Sequence, residues 1–521
     1  MSSLRDDAKS RHSAGWPGTE ELAWARWDTW FGTALPVFLF LVLSQTFDRL
    51  LRNNELLTIP WALQLVDPDW LPQDWLLNTP VGNQLLTATL TGALVKQFGF
   101  VYGAVLLRVI SYGLLAAGLA SLLRAVRIPA AYAVVALWVF LAMGQGIAAG
   151  EWIFRAAESK TFAYAWVFFG LAHLVERRYT WAYGFFGLAT SFHFLVGGYT
   201  LLAALLLSLH ERCPPRLLAK SLALFGAWAV VGIYNVAQEL LAGLPPDNAS
   251  YVLAYIRQPH HLAPATWEGM WPVRLALFIA AWIVVYLHAR SVPGTRRLLL
   301  FGAFTIIPFG VGLAVAPFDH QGAFLQYFPF RLGDTLFPLI VLLGTYHVAV
   351  RWTNRSMLAP LLVLSACMLM VSAAHAFAKQ ARKFDGNVRE QRPWVEVCEW
   401  IRQQTPRDVV VLTPPTKPSF TVLAQRATVF QFRFFPFTRA AIPEWHARLI
   451  DVTGGAKLEK TGFAAGPQLE AAYHDLTDAE LARIARKYGA ELIVARCADR
   501  LDLTLEYSNG TYCVYRPGAS P

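Results

Sequence analysis

The chain has 521 residues, of which 55% are hydrophobic and only 15% charged, against about 25% charged in ordinary soluble domains. That balance excludes an intrinsically disordered chain and argues against a soluble enzyme; five cysteines in this length are not a disulfide framework. The net charge is +10, yet the basic residues fall in short clusters between apolar runs and form no RNA- or DNA-reading motif, so nucleic acid is not the expected partner.

Residues 1–30 are polar and read as a cytoplasmic segment without a cleavable signal peptide. Apolar runs then occur at 31–47, 99–123, 128–148, 161–175, 217–241, 272–287, 298–316, 332–350 and 357–377. Each is near the length that crosses roughly 30 Å of hydrocarbon. Arg124 and Arg127, Arg177 and Arg178, Arg212 and Arg216, Arg290, Arg296 and Arg297, and Arg351 and Arg355 occupy alternate short loops. The positive-inside rule makes those loops cytoplasmic. The opposite loops hold Asp48, Asp67, Asp69, Asp74, Glu151, Glu158, Asp247, Glu268 and Asp319, and face outward.

The run 180–209 is too long for one crossing, and both its ends are basic. It reads as a hairpin of two short crossings with its turn near His193 and Gly197-Gly198. The fold expected is an α-helical polytopic membrane protein with about eleven transmembrane helices over 31–377. Its outer loops are 48–98, 149–161, 242–271 and 317–331. Composition changes near Ala378, and 378–521 reads as an external α/β domain. Within it 393–404 has helical spacing, 408–412, 491–494 and 511–515 read as strands, and Thr477-Asp478 caps a helix to 488. Cys398, Cys497 and Cys513 all fall there, leaving room for one disulfide of unspecified pairing.

Polar candidates crowd the outer loops, whereas the spans carry almost no acids. Asp48 follows the first span directly, where a carboxylate can face a lipid-borne substrate, with Glu55 and Asp74 further along the same loop. Asp67 and Asp69 read as solvated or capping residues. Glu151, Arg155 and Glu158 fall at i, i+4 and i+7 and share one face if that segment is helical, with Lys160 nearby. His193 serves either a tight turn or a ligand. Arg257, His260 and His261 suit phosphate contact better than metal, since two adjacent His without partners make a poor zinc site. Arg331, with Asp334 beside it, enters a span where a guanidinium either snorkels or holds a phosphate.

This order resembles the C-type glycosyltransferase (GT-C) superfamily: a span with a long acidic outer loop, an acidic-basic second loop, an Arg at a later span mouth and a final α/β domain. The stretches ESKTFAY, PHHLAP, FPFRLGD and PWVEVCEWIRQQTPRDVVVLTPP are similar to uncharacterised bacterial members. Many members carry an acidic pair after the first span; here Asp48 is followed by Arg49. The resemblance implies a bacterial inner-membrane enzyme that moves a hexosyl or pentosyl group, with inversion, from a polyprenyl-phosphate donor to an external glycan, lipid or protein acceptor. Asp48, with Glu55 or Asp74 as alternates, would be the base. Arg331, Arg257, His260, His261 and Lys160 would hold phosphate, joined by Glu151, Arg155, Glu158 and His193 in lining the site. Some members need a divalent cation and others none. The competing readings are a non-catalytic assembly subunit and a lipid-linked substrate transporter or flippase.

Overall fold

The computed structural model describes residues 29–52, 54–241, 243, 248–382 and 391–518. Residues 1–28 of the expected N-terminal segment and Asp247 lie outside them. The chain is mainly helical, and every predicted apolar run falls on helix. Among the described residues, Leu85–Ala125, Trp271–Ala289, Pro293–Val315, Arg331–Trp352 and Ser356–Arg382 are long and apolar enough to span a membrane. Pro215–Trp228 and Val230–Leu241 make a sixth candidate if the pair, bent by 71°, is one span. The other runs read as crossings fall on apolar helices of 17 residues or fewer, such as Trp30–Gln45, Ala130–Ala142 and Phe194–His210, shorter than these candidate spans.

The run 180–209 does reverse direction. Helices Tyr179–Phe192 and Phe194–His210 break at His193, whose backbone is extended (φ −153°, ψ 103°). Tyr179 Oη reaches Glu211 Oε2 at 2.7 Å, and Tyr183 Oη lies 2.9 Å from Ser208 Oγ, so the two ends meet again. Gly197 is helical rather than part of the turn; a Cβ there would lie 2.2 Å from Thr190 Oγ1. Its hydrogen lets the two arms touch.

The loops sort to two ends of the bundle. At one end Glu211 binds Arg297 at 2.8 Å, Arg297 Nη1 donates to the Val175 carbonyl, and His347 contacts the Val126 carbonyl. Arginine-bearing loops expected on one membrane side therefore do converge. At the other end meet the first loop, the second loop, the His193 break, the His261 loop and the start of Arg331–Trp352.

The spans are not free of ionisable groups, contrary to the sequence expectation. Arg108 and Asp334 lie inside predicted spans, and both are fully buried. Arg108 Nη1 donates to the carbonyls of Gln45, Thr46 and Asp48, closing the C-terminal end of the first helix. A fixed cation there satisfies carbonyls that the helix itself leaves open.

The C-terminal unit is a mixed five-stranded sheet covered by helices. Its strands are β1 (Val410–Leu412), β2 (Ala427–Thr428), β3 (Leu492–Arg496), β4 (Thr504–Ser508) and β5 (Tyr512–Arg516). Their order is β2-β1-β3-β5-β4, with β1 parallel to β2 and β3, and β5 antiparallel to β3 and β4. Helices Arg392–Gln404 and Asp478–Lys487 sit where periodicity placed them, the second with a Thr477–Glu480 capping box. Cys497 and Cys513 are disulfide-bonded.

Candidate functional site

The second outer loop is irregular rather than helical, which corrects the shared-face expectation for Glu151, Arg155 and Glu158. Side chains capture the N–H groups that a helix would use. Gln145 Oε1 accepts from the N–H groups of Ile153 and Phe154 at 3.0 and 2.8 Å. Asp334 Oδ1 accepts from Ile147, Ala148 and Ala149, and Oδ2 accepts from Glu151 N–H at 3.1 Å. Gly144, Gln145 and Gly150 at φ +88°, +71° and +62° give the chain its turns.

So held, Glu151 (2% exposed) becomes the hub of a buried knot. Arg331 Nε donates to its Oε1 at 2.7 Å, and Lys160 Nζ donates to its Oε2 at 3.2 Å. Lys160 also sits 3.8 Å above the Trp152 ring, and the Arg331 guanidinium 4.2 Å above Phe328. Arg331 Nη1 is 3.0 Å from His193 Nε2, so that nitrogen is the unprotonated acceptor. His261 Nδ1 lies 2.6 Å from the Ala149 carbonyl oxygen and donates to it, 3.9 Å from Glu151 Oε1.

Burial alone would raise the Glu151 carboxyl, but Arg331 and Lys160 outweigh it and hold it well below the usual range. Burial pulls His261 down to about 4, so the ring is neutral at pH 7. Two cations face the Glu151 carboxylate, and a second buried carboxylate, Asp334, lies against the Glu151 N–H.

Glu158 sits beside it, within electrostatic reach of Lys160, and Arg155 lies between the charges of Glu158 and Asp48. Glu158 (7% exposed) accepts from Asn54 Nδ2 at 3.3 Å through Oε2, while Oε1 has no partner among the described residues. Burial lifts its carboxyl against the pull of Lys160. Oε1 borders a small cavity that it shares with Thr58, Thr87, Trp61 and Phe437. Arg155 is half-buried and feels the charges of Arg49, Asp48 and Glu158. The Asp48 carboxylate is half-buried with no hydrogen-bond or ion-pair partner among the described residues.

Glu55 and Asp74 are engaged differently. Both Glu55 oxygens are taken by Arg108, with further bonds from the N–H groups of Leu51 and Ala157. Asp74 accepts from the N–H groups of Leu76, Leu77 and Thr428, tying the first loop to β2. Each oxygen of both carboxylates already accepts at least one hydrogen bond. Asp67 closes helix Glu55–Val66 at its C-terminal end and pairs with Lys96 at 3.5 Å.

His260 packs against His261 with ring centres 4.1 Å apart and planes tilted by 43°, and Arg257 is buried on the preceding turn. No group of three or more His, Cys, Asp or Glu side chains able to hold a metal forms among the described residues. Sequence reasoning missed Gln145, Asn54 and Arg108 entirely and left Asp334 without a role. Arg108 carried a signal: an arginine amid apolar residues asks for a partner.

Among known proteins, a family described as "Domain of unknown function (DUF6798)" matches residues 392–452. No curated protein matches the chain. The crystal structure of ArnT from Cupriavidus metallidurans bound to undecaprenyl phosphate is 14% identical, with 96% of this chain and 99% of that chain covered. Its TM-score is 0.42, which fixes neither a site nor a function for this chain.

Proposed function

We propose that the chain is a multi-pass membrane glycosyltransferase that moves a sugar from a polyprenyl-phosphate donor to an acceptor on the outer face, with inversion. The observation that carries this reading is the Glu151–Arg331–Lys160 knot with the under-partnered carboxylate of Glu158 next to it. The side-by-side cations Arg331 and Lys160 suit the negative charge of a phosphodiester donor. Arg331, Lys160 and the neutral His261 and His193 rings would face that phosphate in a site largely closed to water, where fixed donors stabilise charge on the leaving group. The loop of Arg257 and His260 adjoins this region through the contact of His260 with His261.

Asp48 is the preferred base because its carboxylate has no partner to lose. Glu158 replaces Glu55 and Asp74 as the alternate: its raised affinity for a proton suits a group that accepts one near neutral pH. The Cys497–Cys513 disulfide supports an oxidising, external location for the C-terminal unit.

The test is sugar transfer from synthetic polyprenyl-phosphate-linked sugars by the full chain in proteoliposomes. Asp48→Asn should abolish turnover while donor binding persists, and Glu158→Gln should do so if Glu158 is the base. Full turnover in both variants would sink the assignment. Donor binding by the parent chain without transfer to any acceptor would favour the subunit or flippase reading.

A further inference from the structure

The C-terminal unit brings two more arginines to this end of the bundle. Arg257 (4% exposed) ends the turn Val252–Arg257, and its Nη2 donates to the Arg433 carbonyl oxygen at 2.7 Å. Its Nε has no partner among the described residues. Its guanidinium lies 4.7 Å from the centre of the Phe463 ring, and the Arg433 guanidinium lies 4.8 Å from the same centre. No carboxylate of the described residues pairs with either arginine; the charge of Glu158 acts on Arg433 only from beyond ion-pair range.

His260 completes the group. Its ring centre is 4.9 Å from that of Phe463, and its Nδ1 is buried without a partner among the described residues. Gly462, at φ +58°, lets the backbone pass close: a Cβ there would lie 3.0 Å from Pro259 and 3.6 Å from His260 Nδ1. Phe463 itself is 44% exposed, so the group opens to the surface.

Two guanidiniums sharing one ring, one of them fully buried, repel each other and lack a counter-charge. Ring faces offset only part of that cost. Burial and the Arg433 charge together pull Arg257 down to about 9, a direction that an anion would reverse. Planar guanidiniums hold phosphate oxygens in pairs, and two positive charges match the charge of about −2 on a phosphate monoester near neutral pH. In the Glu151 knot, by contrast, both cations are already paired with a carboxylate.

We propose that Arg257, Arg433 and His260, gathered around Phe463, form a second oxyanion site, next to the Glu151 knot but built from other residues, that takes a phosphate monoester either on a lipid headgroup or free in solution. The site stands whether or not the chain transfers sugar, because it is read from unpaired charge alone.

The experiment uses the full chain purified in detergent and in nanodiscs. Thermal unfolding is followed while inorganic phosphate is titrated, or while phosphatidic acid, a monoester, replaces phosphatidylglycerol, a diester. A response to phosphate alone assigns the free anion, and a response to phosphatidic acid alone assigns the headgroup; either supports the site. Arg433→Gln should weaken the response about tenfold or more, the loss expected for a charge-assisted contact. It should also raise the unfolding temperature without anion, since repulsion is relieved. Arg433→Lys keeps the charge but loses the fork, and should bind several-fold more weakly. Arg496→Gln, at an exposed arginine elsewhere, should change nothing. The proposal is overturned if the parent answers neither probe, if Arg433→Gln and Arg433→Lys bind as the parent does, or if Arg433→Gln unfolds at a lower temperature, marking the pair as a structural strut.

Discussion

Asp334→Asn should loosen the second outer loop without unfolding the chain. Asp334 accepts four N–H groups, three on Oδ1 (3.0, 2.7 and 2.9 Å) and one on Oδ2 (3.1 Å). Asparagine has one acceptor oxygen. With that oxygen in the Oδ1 position, its NH₂ faces Glu151 N–H, donor against donor. A buried donor left unsatisfied costs about 1–3 kcal/mol. The three remaining bonds lose their charge assistance, which roughly halves their strength. About 3 kcal/mol in sum is a conservative total, equivalent to roughly a hundredfold in the local opening equilibrium. Hydrogen exchange read by mass spectrometry should show amides 147–151 exchanging about a hundred times faster, while amides in β3 keep their protection. Gly146→Ala should act similarly, because its Cβ would lie 2.5 Å from Asp334 Oδ2. Unchanged exchange at 147–151 in both variants would refute the view that Asp334 positions Glu151.

Glu151→Gln leaves Arg331 and Lys160 without their counter-charge and should destabilise the chain by about 3–5 kcal/mol in thermal unfolding. Adding Arg331→Met should recover part of that loss, whereas strictly additive losses would show that the two residues do not interact. Stability should also fall as pH drops from about 6.5 towards about 4: the folded state holds His261 neutral down to about 4, while the unfolded chain takes up its proton first. His261→Gln should flatten that slope, and an unaltered slope would assign it to other groups. For orientation, an impermeant thiol reagent added outside intact cells should label cysteines placed at the exposed positions Asp69 and Arg500, but not at Arg178 or Arg290. The reverse pattern would move the candidate site to the cytoplasmic face.

Helices were legible wherever one property decided them. Apolar length alone marks Pro293–Val315, and basic ends on both sides of 180–209 required the reversal that His193 provides. The second outer loop was not legible, because its shape depends on Asp334, nearly two hundred positions away in sequence. Glu151, Arg155 and Glu158 have helical spacing, but N–H groups taken by a distant carboxylate cannot also serve a helix. The same distance hid the fate of Glu55: only the fold reveals that Arg108 occupies both of its oxygens. Arg433 was invisible for another reason, since FRFFPF reads as plain core until Phe463 and Arg257 are brought against it.

The C-terminal unit is part of the site rather than an appendage to it. Trp61 of the first loop stacks on Phe437 at 4.6 Å, Trp75 Nε1 donates to the Val429 carbonyl oxygen at 3.0 Å, and Asp74 receives Thr428 N–H. Buried residues of the first loop and of the sheet belong to one apolar core. The segment 428–437 therefore faces both ways: it carries Arg433, and it lines the cavity at Glu158 through Phe437. A unit anchored by shared core and by a buried carboxylate cannot swing away without exposing Trp61 and stranding Asp74. Truncating it would remove the floor of the first loop together with half of the arginine pair. Point changes at Arg433 separate these two contributions, because its guanidinium touches the Phe463 ring and none of the contacts that tie the first loop to the sheet.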